Sequence, residues 1–363
     1  MRYNLPIYTL SVLPPTAYAL YNLYGSASRF YYDSPWVRKE RVVVVGYGWG
    51  AHAFVNGLDR SKYSVQVVSE RTARFNQPEM IGTLQPSYTS PPSHVAMEQD
   101  TAVSLDAAHQ RIVGTRDVYP YDYAVIAVGS EANDFRVPGV RDHCVMCKTE
   151  EDLEHIQARL REGVTDAVVM GAGPTGLELA CRLKGLGLGV TVYEAGTTIL
   201  PGFSPAFQDE ALRRLRAKCI DVRTGSAIQE VTATSVTLRA QGTVPCAPFK
   251  IWTCGIQPAA FVRAMTGGRP LAVDEQLRLI GHERVFGLGD CIAKPPPTAQ
   301  NAKYQGEYLA TLFNKRFQGH DGYTFQEMGR MLDMNNGLLI EVFGCVFFLV
   351  MPDVDEWRML MSL

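Results

Sequence analysis

The sequence predicts an α/β fold that contains two nested Rossmann-like domains. Two observations carry this prediction. Four valines run into a glycine-rich turn in RVVVVGYGWGA, residues 41–51, and a similar strand and turn recur in AVVMGAGPTGLELA, residues 167–180. Each is followed by a second apolar stretch, YSVQVVSE and LGVTVYEAG. A buried parallel strand, a tight turn, a helix and a further strand are the repeating parts of a doubly wound sheet.

The composition excludes several classes of protein. The chain has 363 residues, which is enough for two or three domains with proper cores. Its formal net charge of −2 argues against a nucleic-acid partner, since phosphate neutralisation needs clustered Lys and Arg. Eight scattered cysteines are too few for a disulfide scaffold and favour a reducing compartment. The seven histidines show no metal-ligand spacing, so no metal site is expected.

The first turn fits the pattern G-x-G-x-x-G/A at Gly46, Gly48 and Ala51. The first glycine permits the tight turn, the second lets a pyrophosphate approach the backbone, and the small third residue lets the helix pack closely. The helix N-terminus then offers N–H groups to phosphates. Glu70 ends the next strand, where a ribose acceptor is expected.

The second turn is the cleaner match. Gly171, Gly173 and Gly176 complete G-x-G-x-x-G, and Glu194 ends the following strand. A carboxylate there accepts hydrogen bonds from free ribose hydroxyls and repels a 2′-phosphate, so NADH is expected rather than NADPH. Two dinucleotide sites in one chain suggest that one dinucleotide reduces the other. Asp290 in VFGLGD, placed to meet a ribityl hydroxyl, favours a flavin in the first site.

The remaining elements follow from local signals. YDYAVIAVGS reads as a strand, and a helix should begin after Thr149, with acids in its first turn. The region from Arg239 to Ile280 reads as mixed β. A long helix should begin at Thr298, directly after three prolines.

The predicted domains are an N-terminal arm or targeting segment (1–40), a discontinuous FAD-binding domain (41–150 and 253–315), an inserted NADH-binding domain (151–252) and a C-terminal apolar segment (316–363). Residues 5–24 carry no charge, but Pro14 and Pro15 argue against a straight transmembrane helix. Residues 337–351 carry one charge and are too short to span a bilayer. They suit a segment that contacts a membrane or a partner, or else a buried core helix.

The chain resembles the type II NADH:quinone oxidoreductases, in their eukaryotic mitochondrial branch. The similar stretches include VVVVGYGWGAHAFVNGLD, VMGAGPTGLELA, RVFGLGDCIA and PPTAQNAKYQGEYLATLFN, and they run from about residue 41 to 315. The resemblance implies FAD and NADH as cofactors. It also implies hydride transfer from NADH to FAD, then two electrons to ubiquinone without proton pumping, at the mitochondrial inner membrane as a peripheral protein.

The resemblance also implies residue roles. Gln300, Tyr304 and Gln305 occupy the stretch that lies beside the flavin and quinone. The expected cofactor contacts are Gly46, Gly48, Trp49, Gly50, Ala51, Glu70, Gly129, Gly171, Gly173, Pro174, Thr175, Gly176, Glu178, Glu194, Gly255, Gly289, Asp290 and Ala299. Implied partners are a quinone, a membrane surface through the C-terminal segment, and a second copy or the subunits of a respiratory complex.

Four features depart from the family pattern and leave an alternative open. Tyr304 stands in place of a glutamine, Arg182 in place of a glutamate and Cys254 in place of a threonine, and the region after about residue 320 is shorter. A catalytically reduced or inactive flavoprotein-like subunit of a respiratory assembly is therefore the alternative. A second rival is a disulfide reductase that uses the CVMC motif, Cys144 and Cys147.

Overall fold

The computed structural model describes residues 38–293, 296–318, 322–324, 330–342 and 345–350. They divide into two compact units. Unit 1 takes the described residues of 1–72, 91–128 and 271–323, and unit 2 takes those of 73–90, 129–270 and 324–363. Almost all of the predicted N-terminal arm lies outside the described residues. The assignment of a cofactor to each predicted domain stays a prediction.

The helices and strands are numbered here in chain order. The strands are β1 (Glu40–Val45), β2 (Tyr63–Ser69), β3 (Arg74–Phe75), β4 (Tyr88–Thr89), β5 (Ala96–Gln99), β6 (Ala102–Asp106), β7 (Arg111–Gly114), β8 (Val118–Pro120), β9 (Tyr123–Ile126), β10 (Ser130–Ala132), β11 (Val145–Met146), β12 (Asp166–Met170), β13 (Gly189–Tyr193), β14 (Asp221–Arg223), β15 (Ile228–Val231), β16 (Ser235–Leu238), β17 (Gly242–Pro245), β18 (Lys250–Trp252), β19 (Ile256–Pro258), β20 (Val285–Gly287), β21 (Arg330–Asp333), β22 (Gly337–Val342) and β23 (Cys345–Val350). The helices are α1 (Trp49–Gly57), α2 (Gln77–Thr83), α3 (Val140–His143), α4 (Glu150–Arg161), α5 (Pro174–Gly185), α6 (Pro205–Ala217), α7 (Ala260–Thr266) and α8 (Ala299–Asn314).

Unit 1 is built on a parallel sheet in the order β20-β9-β1-β2-β5. Its central strand, β1, contains the four valines that open the first motif, and each is 0–1% exposed. A strand buried on both faces needs such an uninterrupted apolar run. The predicted strand and turn are therefore confirmed.

Helices α1 and α8 of unit 1 pack parallel and unusually close. A Cβ on Gly50 would lie 2.8 Å from the carbonyl oxygen of Ala302, and one on Gly57 would lie 2.9 Å from Cβ of Ala310. A Cβ on Gly306 would overlap the Gly50 carbonyl oxygen. Because the contacts advance in step along both helices, the two N-termini lie at the same end, beyond the carboxyl end of β1.

Unit 2 repeats the plan with a parallel sheet in the order β11-β18-β12-β13-β14. Helices α4, α5 and α6 contribute to the core on one face, with Ile156, Leu179 and Phe207 fully buried. The antiparallel meander β15-β16-β17 contributes to a second core that contains Met170 and Trp252. Two dinucleotide-binding-like sheets in one α/β chain confirm the predicted fold class.

The prediction of mixed β structure between Arg239 and Ile280 was incomplete, since it missed α7. Glu131 caps that helix, because its Oε1 accepts a hydrogen bond from the Ala260 N–H at 2.8 Å. Glu131 lies 129 positions earlier in the chain, so no local signal marked the start of the helix.

The C-terminal apolar run is a β-hairpin, so its interpretation as a core helix was wrong. Strands β21, β22 and β23 form an antiparallel sheet, and the residues of β23 alternate between an exposed and a packed face. Phe348 packs on the unit 2 core and lies 3.3 Å under the Arg214 guanidinium, whereas Phe347 is 54% exposed. In the described residues, no helix is long and apolar enough to cross a membrane.

Candidate functional site

The first glycine turn lies at the carboxyl end of β1 and has the geometry that its motif predicts. Gly46 has φ +91°, and a Cβ there would lie 2.6 Å from the Ala127 carbonyl oxygen. Gly48 meets nothing within 4 Å, so its backbone is open to an approaching group. It is also the N-cap of α1 and supplies no side-chain acceptor to the first turn of the helix. An anion fits such an open, uncapped helix start.

A second element of unit 1 carries Asp290, which lies in a 3-10 turn after β20 and not in the strand itself. Gln305 of α8 is buried, and its Oε1 accepts a hydrogen bond from the Gly289 N–H at 2.6 Å. The predicted start of α8 at Thr298 is confirmed, and the Thr298 Oγ1 caps the helix by accepting from the Asn301 N–H at 3.1 Å. Gln305 therefore fixes the turn that presents Asp290.

The other two residues of the predicted quinone stretch are accessible. Gln300 is exposed and Tyr304 is half-buried, one helical turn apart on α8. The Gln300 Nε2 donates a hydrogen bond to the Tyr304 hydroxyl oxygen at 3.2 Å. The pair leaves the phenolic hydrogen to donate elsewhere.

Glu70 follows β2 at the same sheet edge as the first turn. Its Oε1 accepts a hydrogen bond from the Thr101 hydroxyl at 3.2 Å. A carboxylate oxygen has a second lone pair, so this contact leaves room for a ribose hydroxyl.

The second glycine turn, in unit 2, is the better defined of the two. Gly173, the N-cap of α5, meets nothing within 4 Å, while a Cβ on Gly176 would overlap the Gly171 carbonyl oxygen. Gly171 has φ +107°. Gly171 thus permits the tight turn, Gly173 leaves the approach to the backbone open, and Gly176 lets the helix pack closely.

Glu194 is held beside this turn by two backbone donors. Its Oε2 accepts from the Ala172 N–H and its Oε1 accepts from the Gly196 N–H, both at 2.7 Å. The carboxylate therefore has a fixed position at the end of β13, where the ribose of a dinucleotide would lie.

The sequence reasoning missed Thr253, which holds the second turn. Its hydroxyl lies 2.8 Å from the Met170 carbonyl oxygen and 3.1 Å from that of Gly171, and it donates its hydrogen there. A threonine directly after a strand, in WTCG, was the available signal.

The remaining predicted cofactor contacts differ in what surrounds them in the structure. Gly50 and Ala51 are buried in α1 and serve its packing. The Oε1 of Glu178 accepts a hydrogen bond from the N–H of Asp333, the last residue of β21, at 3.3 Å. Other predicted contacts lie in the first turns of helices: Trp49 in α1, Ala299 in α8, and Pro174 and Thr175 in α5. Gly129 follows β9, and Gly255 follows β18.

The cysteines of CVMC do not form a redox pair. Burial raises the pKa of both Cys144 and Cys147 to about 12, so they are thiols at neutral pH. Cys144 packs with the core beneath the meander and Cys147 with the core of the helical face. A reactive pair needs an accessible thiolate beside its partner, so the disulfide-reductase alternative loses its support.

A cavity of about 730 Å³ lies elsewhere in unit 2. Its lining includes Asp166 and Gly189, which begin β12 and β13. The glycine turn follows the opposite ends of these strands, so the cavity is not the cradle for a dinucleotide. Among the described residues, no cluster of three His, Cys, Asp or Glu side chains could hold a metal ion.

Comparisons with solved structures agree with this fold. The structure of NDH2 from Plasmodium falciparum in complex with NADH superposes with a TM-score of 0.80 at 18% identity, covering 89% of this chain and 94% of that chain. An NAD-dependent persulfide reductase from A. fulgidus has a TM-score of 0.72 at 21% identity, over 83% of this chain and 63% of that one.

Curated relatives confirm the resemblance to type II enzymes. An external alternative NAD(P)H-ubiquinone oxidoreductase B3 of Arabidopsis thaliana mitochondria is 29% identical, covering 78% of this chain and 59% of the relative. External NADH-ubiquinone oxidoreductase 2 of Saccharomyces cerevisiae mitochondria is 27% identical, over 78% and 64%. This chain thus spans about three fifths of the length of these relatives.

The family model for pyridine nucleotide-disulphide oxidoreductases matches residues 40–306. That range contains both glycine turns, Glu194, Asp290 and the first part of α8. The chain belongs to the pyridine nucleotide-disulphide oxidoreductase family.

Proposed function

We propose that the chain is an NADH:quinone oxidoreductase that uses FAD, with hydride passing from NADH to FAD and two electrons then passing to ubiquinone. The observation that carries the proposal is the presence of two glycine cradles, at Gly46–Gly48 and Gly171–Gly173, in one chain. One dinucleotide site would serve many dehydrogenases, but two favour electron transfer from one dinucleotide to the other. The oxidoreductase names of the curated relatives support the same reaction and give the accessory-subunit alternative no support.

Unit 1 fits FAD. The open backbone at Gly48 and the uncapped start of α1 would hold the pyrophosphate, and Glu70 would accept a hydroxyl of the adenosine ribose. Asp290, in the turn fixed by Gln305, would accept a ribityl hydroxyl. When bound, FAD supplies a carrier that accepts a hydride and releases electrons.

Unit 2 fits NADH. Gly173 would admit the pyrophosphate to the N-terminus of α5, and Glu194 would accept the ribose hydroxyls. Because the Glu194 carboxylate is anchored by two N–H groups, it cannot swing away from a 2′-phosphate. NADH is therefore the expected donor, in preference to NADPH.

The quinone contact is assigned to Gln300 and Tyr304. Both are accessible, and the Tyr304 hydroxyl can donate its hydrogen to a quinone carbonyl while accepting from Gln300. Gln305 is assigned to positioning, since its amide oxygen is occupied by Gly289.

The relatives named above are mitochondrial, and we propose the inner membrane as the site of action, with peripheral attachment. The exposed face of the C-terminal sheet, which carries Phe347 and Leu349, is the candidate for membrane contact. A second copy or a respiratory complex as partner stays a prediction.

The test uses the purified full chain and a soluble ubiquinone analogue. We expect flavin to copurify and NADH to reduce the quinone much faster than NADPH does. Gly48→Val should lose flavin, and Gly173→Val should keep flavin but lose NADH oxidation. A colourless wild-type protein, or one whose flavin NADH leaves oxidised, contradicts the proposal.

A further inference from the structure

Phe135 is an exposed aromatic residue held in a strained backbone conformation. Phe135 is 58% exposed, and its backbone φ is +50°. The next residue, Arg136, also lies in the left-handed region, at φ +56°. Side chains disfavour this region, and such strain persists only where surrounding contacts impose it.

The surrounding contacts are local and well defined. The Asn133 Oδ1 accepts from the Phe135 N–H, and the Asp134 Oδ1 accepts from the Arg136 N–H, both at 2.9 Å. The Trp252 indole N–H donates to the Asn133 carbonyl oxygen at 2.8 Å, which ties the turn to β18. The ring of Phe135 is therefore presented by a fixed turn.

The ring lies next to the second glycine turn. A Cβ on Gly255 would come within 2.8 Å of the Phe135 Cζ, so the ring rests where Gly255 has no side chain. Two residues before Gly255, Thr253 bonds the carbonyl groups at the start of the glycine turn. Phe135 thus lies at the carboxyl end of β18, the strand that pairs with β12 directly before the glycine turn.

The strand order decides which half of a dinucleotide would reach this ring. Glu194 follows β13 on one side of β12, and Phe135 lies over the end of β18 on the other side. A dinucleotide whose adenosine ribose lies at Glu194 and whose pyrophosphate lies at Gly173 extends its other half toward β18.

We propose that the Phe135 ring is a stacking contact for the nicotinamide ring of the NADH bound by unit 2. This inference rests on the proposed function, because it takes NADH as the ligand of the second turn. A rigid aromatic surface restricts the orientation of a planar ring without hydrogen bonds. The exposure of Phe135 leaves the ring available to such a ligand.

The test compares NADH with ADP-ribose, which has the adenosine and pyrophosphate but no nicotinamide. Binding of each is measured by anaerobic calorimetry on the full chain whose flavin has first been reduced chemically, so that NADH can bind without being oxidised. Phe135→Ala should weaken NADH binding about 3- to 10-fold, the range of an aromatic pair, and leave ADP-ribose binding unchanged. Phe135→Tyr should retain NADH binding, whereas Phe135→Leu should not restore it.

The matched control is Phe347→Ala, which removes a similarly exposed ring from the C-terminal sheet of unit 2. It should change neither affinity. Equal affinities for NADH in wild type and Phe135→Ala, or an equal loss for both ligands, would overturn the inference while leaving the proposed function intact. A wild-type chain that binds neither ligand would overturn both.

Discussion

Gly173 and Gly176 lie three residues apart but have opposite surroundings. Gly173 opens to empty space, whereas a Cβ on Gly176 would overlap the Gly171 carbonyl oxygen. The fold therefore requires the second glycine, whereas the first leaves open the place proposed for the ligand. Sequence spacing predicted the geometry at both positions, because the motif itself encodes it.

This difference predicts that substitution of Gly173 impairs ligand binding and that substitution of Gly176 impairs stability. Gly173→Ala should leave the thermal midpoint within a few degrees of wild type but weaken NADH binding at least tenfold, because the methyl group occupies the approach to the pyrophosphate. Gly176→Ala should lower the free energy of unfolding by about 2 kcal/mol or more, as overpacking does. Thermal melts and NADH titrations check both, and similar behaviour of the two variants would contradict the assignment.

Asp100 shows what sequence could not predict at this scale. It is 4% exposed, and its carboxylate accepts hydrogen bonds from the Tyr119 hydroxyl at 2.8 Å and the Thr101 N–H at 2.7 Å. Burial alone would raise the pKa of Asp100, but these bonds and those from Thr115 and Arg116 hold it below the usual 3.8. Residues up to 19 positions apart supply the donors, so no local pattern reveals the site.

Asp100→Asn should destabilise unit 1 by about 1–3 kcal/mol at pH 7, because an amide hydrogen would face N–H donors. Since the folded pKa of Asp100 is lowered, its contribution is complete above the unfolded value of 3.8 and is lost as pH falls toward the folded value. Urea unfolding should show that the difference in unfolding free energy between wild type and Asp100→Asn is smaller at pH 3 than at pH 7. Asp106→Asn, at a partly exposed ion-pair partner at the end of β6, is the control and should change little. An equal difference in unfolding free energy at both pH values would contradict this assignment of the Asp100 carboxylate.

At the scale of elements, α1 and α8 were predicted separately, but their close parallel packing was not. Small residues at Gly50, Gly57, Gly306 and Ala310 make it possible, and only the structure shows that they face each other. The contact brings two helix N-termini to one edge of the unit 1 sheet, where the flavin is proposed.

Gly306→Ala should force these helices apart, since its methyl group would overlap the Gly50 carbonyl oxygen. We expect the free energy of unfolding to fall by about 2 kcal/mol and the bound flavin per chain to fall with it. Glu307→Ala, at an exposed position of the same helix, should affect neither. Retention of wild-type flavin content and stability by Gly306→Ala would show that the spacing is not required.

In the C-terminal hairpin, only the alternative interpretation as a buried core helix was wrong, and contact with a membrane or partner stays a prediction. Its apolar run, GLLIEVFGCVFFLV, has nonpolar residues on both faces, so period alone cannot separate a strand from a buried helix. The strand becomes evident only from its pairing with β22, which lies nearby in the chain but is equally apolar.

Adjacent phenylalanines test this register. Phe348→Ala should cost about 2 kcal/mol of stability, because Phe348 packs on the core and under Arg214. Phe347→Ala should cost under about 0.5 kcal/mol, because that side chain faces outward. Comparable losses from both substitutions would argue against the strand.

At the scale of the whole molecule, the sequence predicted two nested α/β domains, and contacts group the described residues into two units. Residues 73–90 and the described residues after 323 join unit 2. This grouping follows from long-range packing, and no boundary signal in the sequence marked it. Helix α2, for example, buries Met80 and Ile81 against the same core as α5.

The proposed activity requires electron transfer from NADH to FAD. The most direct measurement is an anaerobic titration of the purified, flavin-containing chain with NADH, followed by a soluble quinone. The account predicts that flavin absorbance is lost with about one NADH per flavin and recovers when the quinone is added. Flavin that stays oxidised in the presence of bound NADH would contradict it.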